Sequence, residues 1–281
     1  MDWRGRRTSG NLEDRRGRGG GAIRMGGIGG AGAIVVLLIG MFLGVDVTPL
    51  LQGGGPVVSE RQSGPNTIDD STEEFVGVVL AETEDVWGQI FAASNLTYQD
   101  PRLVMFSGVT SSGCGTAQSA MGPFYCPNDQ TIYLDTDFFE LMSQRFGASG
   151  DFARAYVIAH EVGHHVQDEL GTLGQVNQQR ARLGEREANA LSVRVELQAD
   201  CYSGIWARAA SDRLKLTDQD IRDALATAAA IGDDALQQAS RGVVVPDSFT
   251  HGTSEQRQTW FDKGYRTGDP AACDTFSARS L

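Results

Sequence analysis

Histidine and cysteine are scarce in this chain, which has four of each among 281 residues. The cysteines form no C-x-x-C pair, which argues against a zinc site built from four thiolates. Positive charge is also scarce beyond residue 24. The chain carries −12 and its first 24 residues, with seven arginines against three carboxylates, carry +4, so the remainder carries −16. Phosphate binding needs clustered positive charge, so we expect no nucleic-acid partner.

One long uncharged segment, residues 25–45, follows the basic start of the chain. About 20 apolar residues cross a bilayer as a helix, although here the glycine-rich first half leaves residues 33–45 as the clearly apolar part. We interpret this segment as a signal anchor that stays in the membrane. A cleaved signal peptide and a buried helix of a soluble domain are the alternatives, but no small-residue cleavage pattern follows the apolar run.

Arginines precede this segment and none follows before Arg61, so the positive-inside rule places the N-terminus in the cytoplasm. We therefore predict a cytoplasmic basic tail at residues 1–24 and a transmembrane helix at residues 25–45. A flexible linker rich in glycine and proline follows at residues 46–66, and the folded domain covers residues 67–281, outside the cytoplasm.

The cysteines agree with export, because all four lie beyond the predicted span and an even number suggests two disulfides. Three pairings are possible, and we favour Cys114–Cys126 with Cys201–Cys273. Four free buried thiols are the alternative.

The domain combines few strands with many helices. Apolar residues recur at helical spacing over residues 71–93, and strands are predicted at residues 102–109 and 131–134. From about residue 149 onward the pattern is helical, with Thr217 as the N-cap of one helix. This order is typical of an α+β domain dominated by helices.

The stretch IAHEVGHHVQ holds three of the four histidines. His160 and His164 are four residues apart, so they share one helix face about 6 Å apart along the axis and can reach one metal ion. Glu161 borders that face, as the general base does in the H-E-x-x-H arrangement. A glycine inside a helix costs about 1 kcal/mol, so Gly163 suggests the close approach of another backbone or a substrate. An accidental histidine pair is the alternative interpretation.

A catalytic zinc needs a third protein ligand. The residues after His164 lack the x-x-G-x-x-H extension of metzincins, which excludes that source. The later stretch VELQAD offers Glu196 as the ligand, with Asp200 one turn on as the residue that orients a ligand histidine. One alternative is that Asp200 is the direct ligand. The other is that both carboxylates only form salt bridges on a helix face and bind no metal.

The other two histidines have different positions. His165 points about 100° away from its neighbour around the helix, so we expect a structural or supporting role. His251 could hydrogen-bond the oxyanion formed when water attacks a carbonyl, and Arg257, six residues later on the following helix, could support the site. Alternatively, His251 is an exposed residue just before the last helix, which begins at Thr253 or Ser254.

Taken together, these motifs resemble those of the bacterial neutral zinc metallopeptidase family, which has a single N-terminal membrane anchor. The resemblance extends over nearly the whole chain, from RRTSGNLEDRRG and GVDVTPLL to GPFYCPNDQTIYLD, HEVGHHVQ and ELQADCYSG. It implies a zincin-like, gluzincin-type domain with a small sheet. It also implies one Zn²⁺ held by His160, His164 and Glu196, with Glu161 as the base. The strand QTIYLD is the implied partner for an extended substrate.

The expected function is therefore that of a zinc metallopeptidase, an endopeptidase acting on protein or peptide substrates through a zinc-activated water. The resemblance implies a single-pass protein of the bacterial inner membrane, with a cytoplasmic N-terminus and a periplasmic catalytic domain. The alternative is a non-catalytic anchored interaction module that keeps zinc for stability. An amidase acting on cell-wall peptide crosslinks would use the same chemistry.

Overall fold

The computed structural model describes residues 1–16, 70–118, 122–146 and 150–281. The predicted membrane-spanning segment at residues 25–45 and the predicted linker at residues 46–66 lie outside these ranges. Among the helices of the described ranges, none combines the length and the apolar character needed to cross a bilayer.

The described residues form the helix-dominated α+β domain that the sequence predicts. The strands are β1 (Leu12–Asp14), β2 (Arg102–Phe106), β3 (Val109–Ser112), β4 (Gly115–Gln118), β5 (Phe124–Cys126) and β6 (Thr131–Asp135). The helices are α1 (Ser71–Ala93), α2 (Asp137–Phe146), α3 (Asp151–Glu169), α4 (Thr172–Arg180), α5 (Glu185–Ala210), α6 (Asp218–Ala230), α7 (Asp233–Arg241) and α8 (Ser254–Thr267). Short 3₁₀ helices cover Pro246–Ser248 and Pro270–Cys273.

Four of the strands form one sheet in the order β1-β2-β6-β5, and β3 with β4 forms a separate antiparallel ribbon. β1, β2 and β6 are parallel, whereas β5 runs antiparallel to β6. β6 therefore has partners on both sides, and its backbone groups are already used by β2 and β5. The implied role of QTIYLD as the strand that pairs with substrate is wrong. Within the described residues, the outer strands are β5 and β1.

The first 16 residues belong to this domain, which differs from the predicted boundary at residue 67. β1 pairs in register with β2, so that Leu12 lies opposite Leu103. Trp3 is 2% exposed and packs edge-on against Phe75, with ring centroids 5.3 Å apart. Its Nε1–H donates a hydrogen bond of 2.8 Å to Asp151 at the start of α3. Burial of these apolar side chains holds the segment against the domain.

The arginines of this segment meet carboxylates on or beside α1. Arg7 binds Glu84 at 3.1 Å and Asp85 at 2.8 Å. Arg16 binds Asp70, the N-cap residue of α1, at 3.0 Å. The positive charge of the first residues thus complements an acidic helix of the domain. The Arg16–Asp70 contact also brings together the two described residues that flank residues 17–69.

Close packing of α3, α5 and α8 brings the predicted site residues together. A Cβ atom on Gly163 would lie 3.0 Å from the carbonyl oxygen of Ala199, so the glycine lets α3 approach the backbone of α5. This agrees with the close approach that its position in the helix suggested. Gly264 of α8 contacts the Cys201 carbonyl of α5 in the same way.

Both favoured disulfides are present. Cys114–Cys126 ties the β3–β4 ribbon to β5, with Cα atoms 5.8 Å apart. Cys201–Cys273 ties α5 to the 3₁₀ turn after α8, with Cα atoms 5.6 Å apart. The second crosslink holds the end of the chain beside the helix that carries Glu196.

Candidate metal centre

One cluster of metal-ligating side chains stands out among the described residues. It consists of His160 and His164 from α3 and Glu196 from α5, whose ligand atoms all lie within 4.8 Å of one another. Glu196 Oε2 is 3.1 Å from His160 Nε2 and 3.6 Å from His164 Nε2. Two imidazole nitrogens and one carboxylate oxygen form a donor set that suits Zn²⁺, with a coordination position left open. The residues present therefore fit the implied metal.

The charges of the cluster are strongly coupled. Burial lowers the pKa of His160, but the Asp200 and Glu196 carboxylates outweigh burial and raise that pKa to about 10. Burial would raise the pKa of Glu196, yet the imidazoles of His164, His251 and His160 hold it well below its usual range. The metal-free site thus attracts protons onto its imidazoles, and a bound metal would have to displace them.

Asp200 lies behind His160, on the opposite side of the ring from Glu196. Its Oδ1 is 2.9 Å from His160 Nδ1 and accepts a hydrogen bond of 2.5 Å from the Tyr156 hydroxyl. Arg257 donates to both Asp200 oxygens, at 2.9 and 3.0 Å. An acceptor at Nδ1 leaves Nε2 free to face the cluster. Asp200 is therefore placed to orient a ligand histidine, and it lies outside the three-residue ligand cluster.

Acid should weaken this arrangement in the metal-free chain. Burial raises the pKa of Asp200, but Arg257 and His160 outweigh it and lower that pKa to about 2, below the unfolded value of ~3.9. The stabilisation is therefore present above pH ~4 and is lost as pH falls towards 2. It should amount to about 2–3 kcal/mol. Denaturant unfolding at a series of pH values should show this loss, and Asp200→Asn should make the acid dependence shallower by that amount. An equal slope in the variant would contradict the assignment.

Glu161 is held on α3 between the two ligand histidines. It is 7% exposed, and no hydrogen bond or ion pair within the described ranges engages its carboxylate. The pKa of His164 lies above its usual value. Burial lowers this pKa, but the Glu196 carboxylate outweighs burial, and Glu161 adds a smaller contribution in the same direction. Glu161 thus places a carboxylate beside the cluster.

His251 lies across from Glu196, in the loop before α8. Asp233 Oδ2 accepts backbone hydrogen bonds from Thr250, His251 and Gly252, at 2.7, 2.6 and 3.0 Å. Asp233 Oδ1 is 3.3 Å from His251 Nδ1. Burial lowers the pKa of His251, but Glu196 and Asp233 raise it above the usual value. His251 is outside the ligand cluster but faces it as a partly exposed hydrogen-bond donor.

A cleft of about 220 Å³ opens beside Glu196 and His251. Its remaining walls come from α4, α5 and the adjoining loop: Leu173, Val176, Asn177, Arg180, Ser192, Val195 and Thr250. The cleft therefore combines three aliphatic side chains, Leu173, Val176 and Val195, with a larger number of polar ones next to the cluster.

Two further residues, Arg257 and His165, were expected to play supporting roles. Arg257 was expected to support the site, and its guanidinium binds Asp200, the hydrogen-bond partner of His160. His165 faces away from the cluster, as its position on the helix predicts. It is 1% exposed, and its Nε2–H donates to the Gln99 carbonyl at 2.6 Å.

Sequence reasoning missed two supporting residues, Tyr156 and Gln167. Tyr156 precedes His160 by four residues, and Gln167 follows His164 by three, so both lie on the ligand face of α3. Gln167 Oε1 is 2.9 Å from His164 Nδ1. Helical spacing could have identified both, because residues three and four apart are neighbours on a helix surface.

The helix-dominated fold fits a zincin-like domain, and the three-residue donor set could hold a metal ion. The model of the family described as "Putative neutral zinc metallopeptidase" matches residues 1–276, and the chain belongs to that family. It is 50% identical over 287 aligned residues to the uncharacterized protein YpfJ of Escherichia coli K12, covering 98% of this chain and 99% of the relative. It is 52% identical over 195 residues to the uncharacterized protein Rv2575 of Mycobacterium tuberculosis H37Rv, covering 66% and 65% of the two chains. No solved structure matches the chain.

Proposed function

We propose that this protein is a zinc-dependent peptidase whose catalytic base is Glu161. The observation that carries the proposal is the cluster of His160, His164 and Glu196 with Glu161 buried beside it and not otherwise engaged. A zinc site that serves stability alone is usually closed by four protein ligands. Three ligands, a neighbouring carboxylate and an adjoining cleft favour catalysis over the anchored interaction module.

The chain's own residues can carry the proton transfers of peptide hydrolysis. When bound, zinc supplies Lewis acidity towards a water and the substrate carbonyl. Glu161 takes the proton of the attacking water and later delivers it to the departing amine. His251 lies opposite Glu196, where its imidazole can hydrogen-bond the oxyanion that develops on the carbonyl. Asp233 holds the loop that carries His251 in place.

An extended substrate has one well-placed partner strand, β5. It forms one of the two outer edges of the described sheet and lies along α3, where Tyr125 donates a hydrogen bond of 2.8 Å to Asp168. A peptide added beside β5 would form main-chain hydrogen bonds with that edge. The cleft next to Glu196 would then receive one of its side chains, with Val176 and Val195 as the apolar wall.

The test is the appearance of new amino termini in an unfolded, disulfide-free polypeptide incubated with the zinc-loaded full chain. We expect amine labelling and mass spectrometry to find new termini with the wild type and none with His164→Ala, which lacks one ligand. A wild-type chain that binds zinc but produces no new termini from any polypeptide would instead support the non-catalytic module.

We also propose that the domain works outside the cytoplasm, because disulfides persist in oxidising compartments. Pairing of β1 with β2 supports placing residues 1–16 on the same side of the membrane as the metal centre. Because strands that pair must lie on one side of a membrane, we propose this common placement in place of a cytoplasmic N-terminus with a periplasmic domain.

The orientation can be tested with single added cysteines at two exposed positions, Gly10→Cys and Ala239→Cys. In cells with an intact inner membrane, a membrane-impermeant maleimide should label both variants. Labelling of Ala239→Cys alone would mean that the N-terminus lies in the cytoplasm.

A further inference from the structure

A buried chain of two hydrogen-bonded side-chain amides connects His164 to the backbone carbonyl of Cys273. Gln167 Oε1 lies 2.9 Å from His164 Nδ1, and Gln167 Nε2 donates to Gln198 Oε1 at 3.1 Å. Gln198 Nε2 then donates to the Cys273 carbonyl at 3.1 Å. Gln167 is 0% exposed and Gln198 is 7% exposed, so water cannot readily replace these bonds.

Two backbone carbonyls determine which amide group donates and which accepts in each hydrogen bond of this amide chain. A carbonyl oxygen accepts and never donates, so the amide nitrogen of Gln198 must face Cys273. The amide nitrogen of Gln167 must likewise face the Val195 carbonyl, to which it donates at 2.7 Å. The oxygen of Gln167 is therefore turned towards His164 and can only accept. His164 Nδ1 must then carry a proton.

We infer that Gln167 is a positioning residue that keeps the proton of His164 on Nδ1 and so presents the Nε2 lone pair to the metal. His164 Nε2 is the nitrogen that faces Glu196, at 3.6 Å. Asp200 does this for His160 with a charged oxygen, whereas Gln167 does it for His164 with a neutral one. The inference rests on the metal centre of the proposed function.

The backbone carbonyl at which the amide chain ends belongs to a disulfide-bonded residue, Cys273. The Cys273 carbonyl belongs to the 3₁₀ turn after α8, and the disulfide to Cys201 fixes that turn against α5. A segment more than 100 positions after His164 thus contributes to the orientation of this ligand.

The decisive variant is Gln167→Met in the full chain, which removes the acceptor while keeping a side chain of similar length. We expect its zinc dissociation constant, measured by competition with a chromophoric chelator, to rise about 10–100-fold. The exposed Gln179→Met on α4 is the matched control and should bind zinc as the wild type does.

A nuclear magnetic resonance measurement separates proton placement from packing. With four histidines in the chain, ¹⁵N-histidine labelling should resolve each ring of the zinc-loaded protein. The Nδ1–H signal of His164 should be protected from exchange in the wild type and lost in Gln167→Met. Gln179→Met, which leaves the Gln167 amide in place, should keep it.

An unchanged zinc affinity in Gln167→Met, or a His164 Nδ1–H signal that stays equally protected in it, would overturn the inference. Neither measurement requires hydrolysis. A chain that binds zinc but cleaves nothing would therefore refute the peptidase and leave this inference standing.

Discussion

Glu161→Gln should lower the rate of peptide hydrolysis by about 10²–10⁴-fold, the usual contribution of a general base. The amide has nearly the shape of the carboxylate but cannot take up the proton of the attacking water. Because Glu161 lies outside the ligand cluster, zinc affinity should stay close to that of the wild type. Initial rates on a fluorogenic peptide and zinc titration of the same preparations provide the two measurements.

The matched control is Glu169→Gln, which removes the same charge from the last turn of the same helix. Its activity should equal that of the wild type. If Glu161→Gln cleaved as fast as the wild type, Glu161 would not be the base. If it lost zinc together with activity, the residue would belong to the metal's own ligand set.

Arg257→Met should destabilise the metal-free chain by about 3–5 kcal/mol, because it leaves a buried carboxylate without its counter-ion. Arg257 is 3% exposed and Asp200 is fully buried. Among the described residues, the Asp200 side chain would keep His160 and the Tyr156 hydroxyl as partners, and α8 would lose a buried ion pair with α5. The shift in the denaturant midpoint measures the effect.

The control for this change lies on the same helix. Arg266 forms an i,i+4 pair with Asp262 and is 77% exposed, so Arg266→Met should cost no more than about 0.5 kcal/mol. Equal effects of the two substitutions would mean that Arg257 acts as an ordinary surface charge. That result would remove the support we assign to Asp200 and, through it, to His160.

The sequence predicted those parts of the site that depend on local geometry. Two histidines four residues apart must share a helix face, and so must Glu196 and Asp200. Gly163 signalled the close approach of a second helix because a glycine there lowers helix stability without local benefit. These inferences need only the periodicity of a helix.

Contacts between segments that are distant in the sequence could not be predicted from helix periodicity. β1 pairs with a strand about 90 positions later, and its short sequence resembles a charged tail rather than a strand. Arg257 was predicted only to support the site, and it is the packing of α8 against α5 that makes Asp200 its partner. The amide chain from Gln167 likewise ends on a backbone carbonyl, which no side-chain pattern reveals.

The central claim is that one zinc ion at His160, His164 and Glu196 drives peptide hydrolysis. The most direct measurement follows zinc content and cleavage of an unfolded polypeptide in one preparation, before metal removal, after it and after zinc is returned. We predict one zinc per chain with cleavage, no cleavage in the stripped protein and recovery on reloading. Cleavage that persists in the stripped protein, or a reloaded protein with one zinc that leaves the polypeptide intact, would contradict the claim.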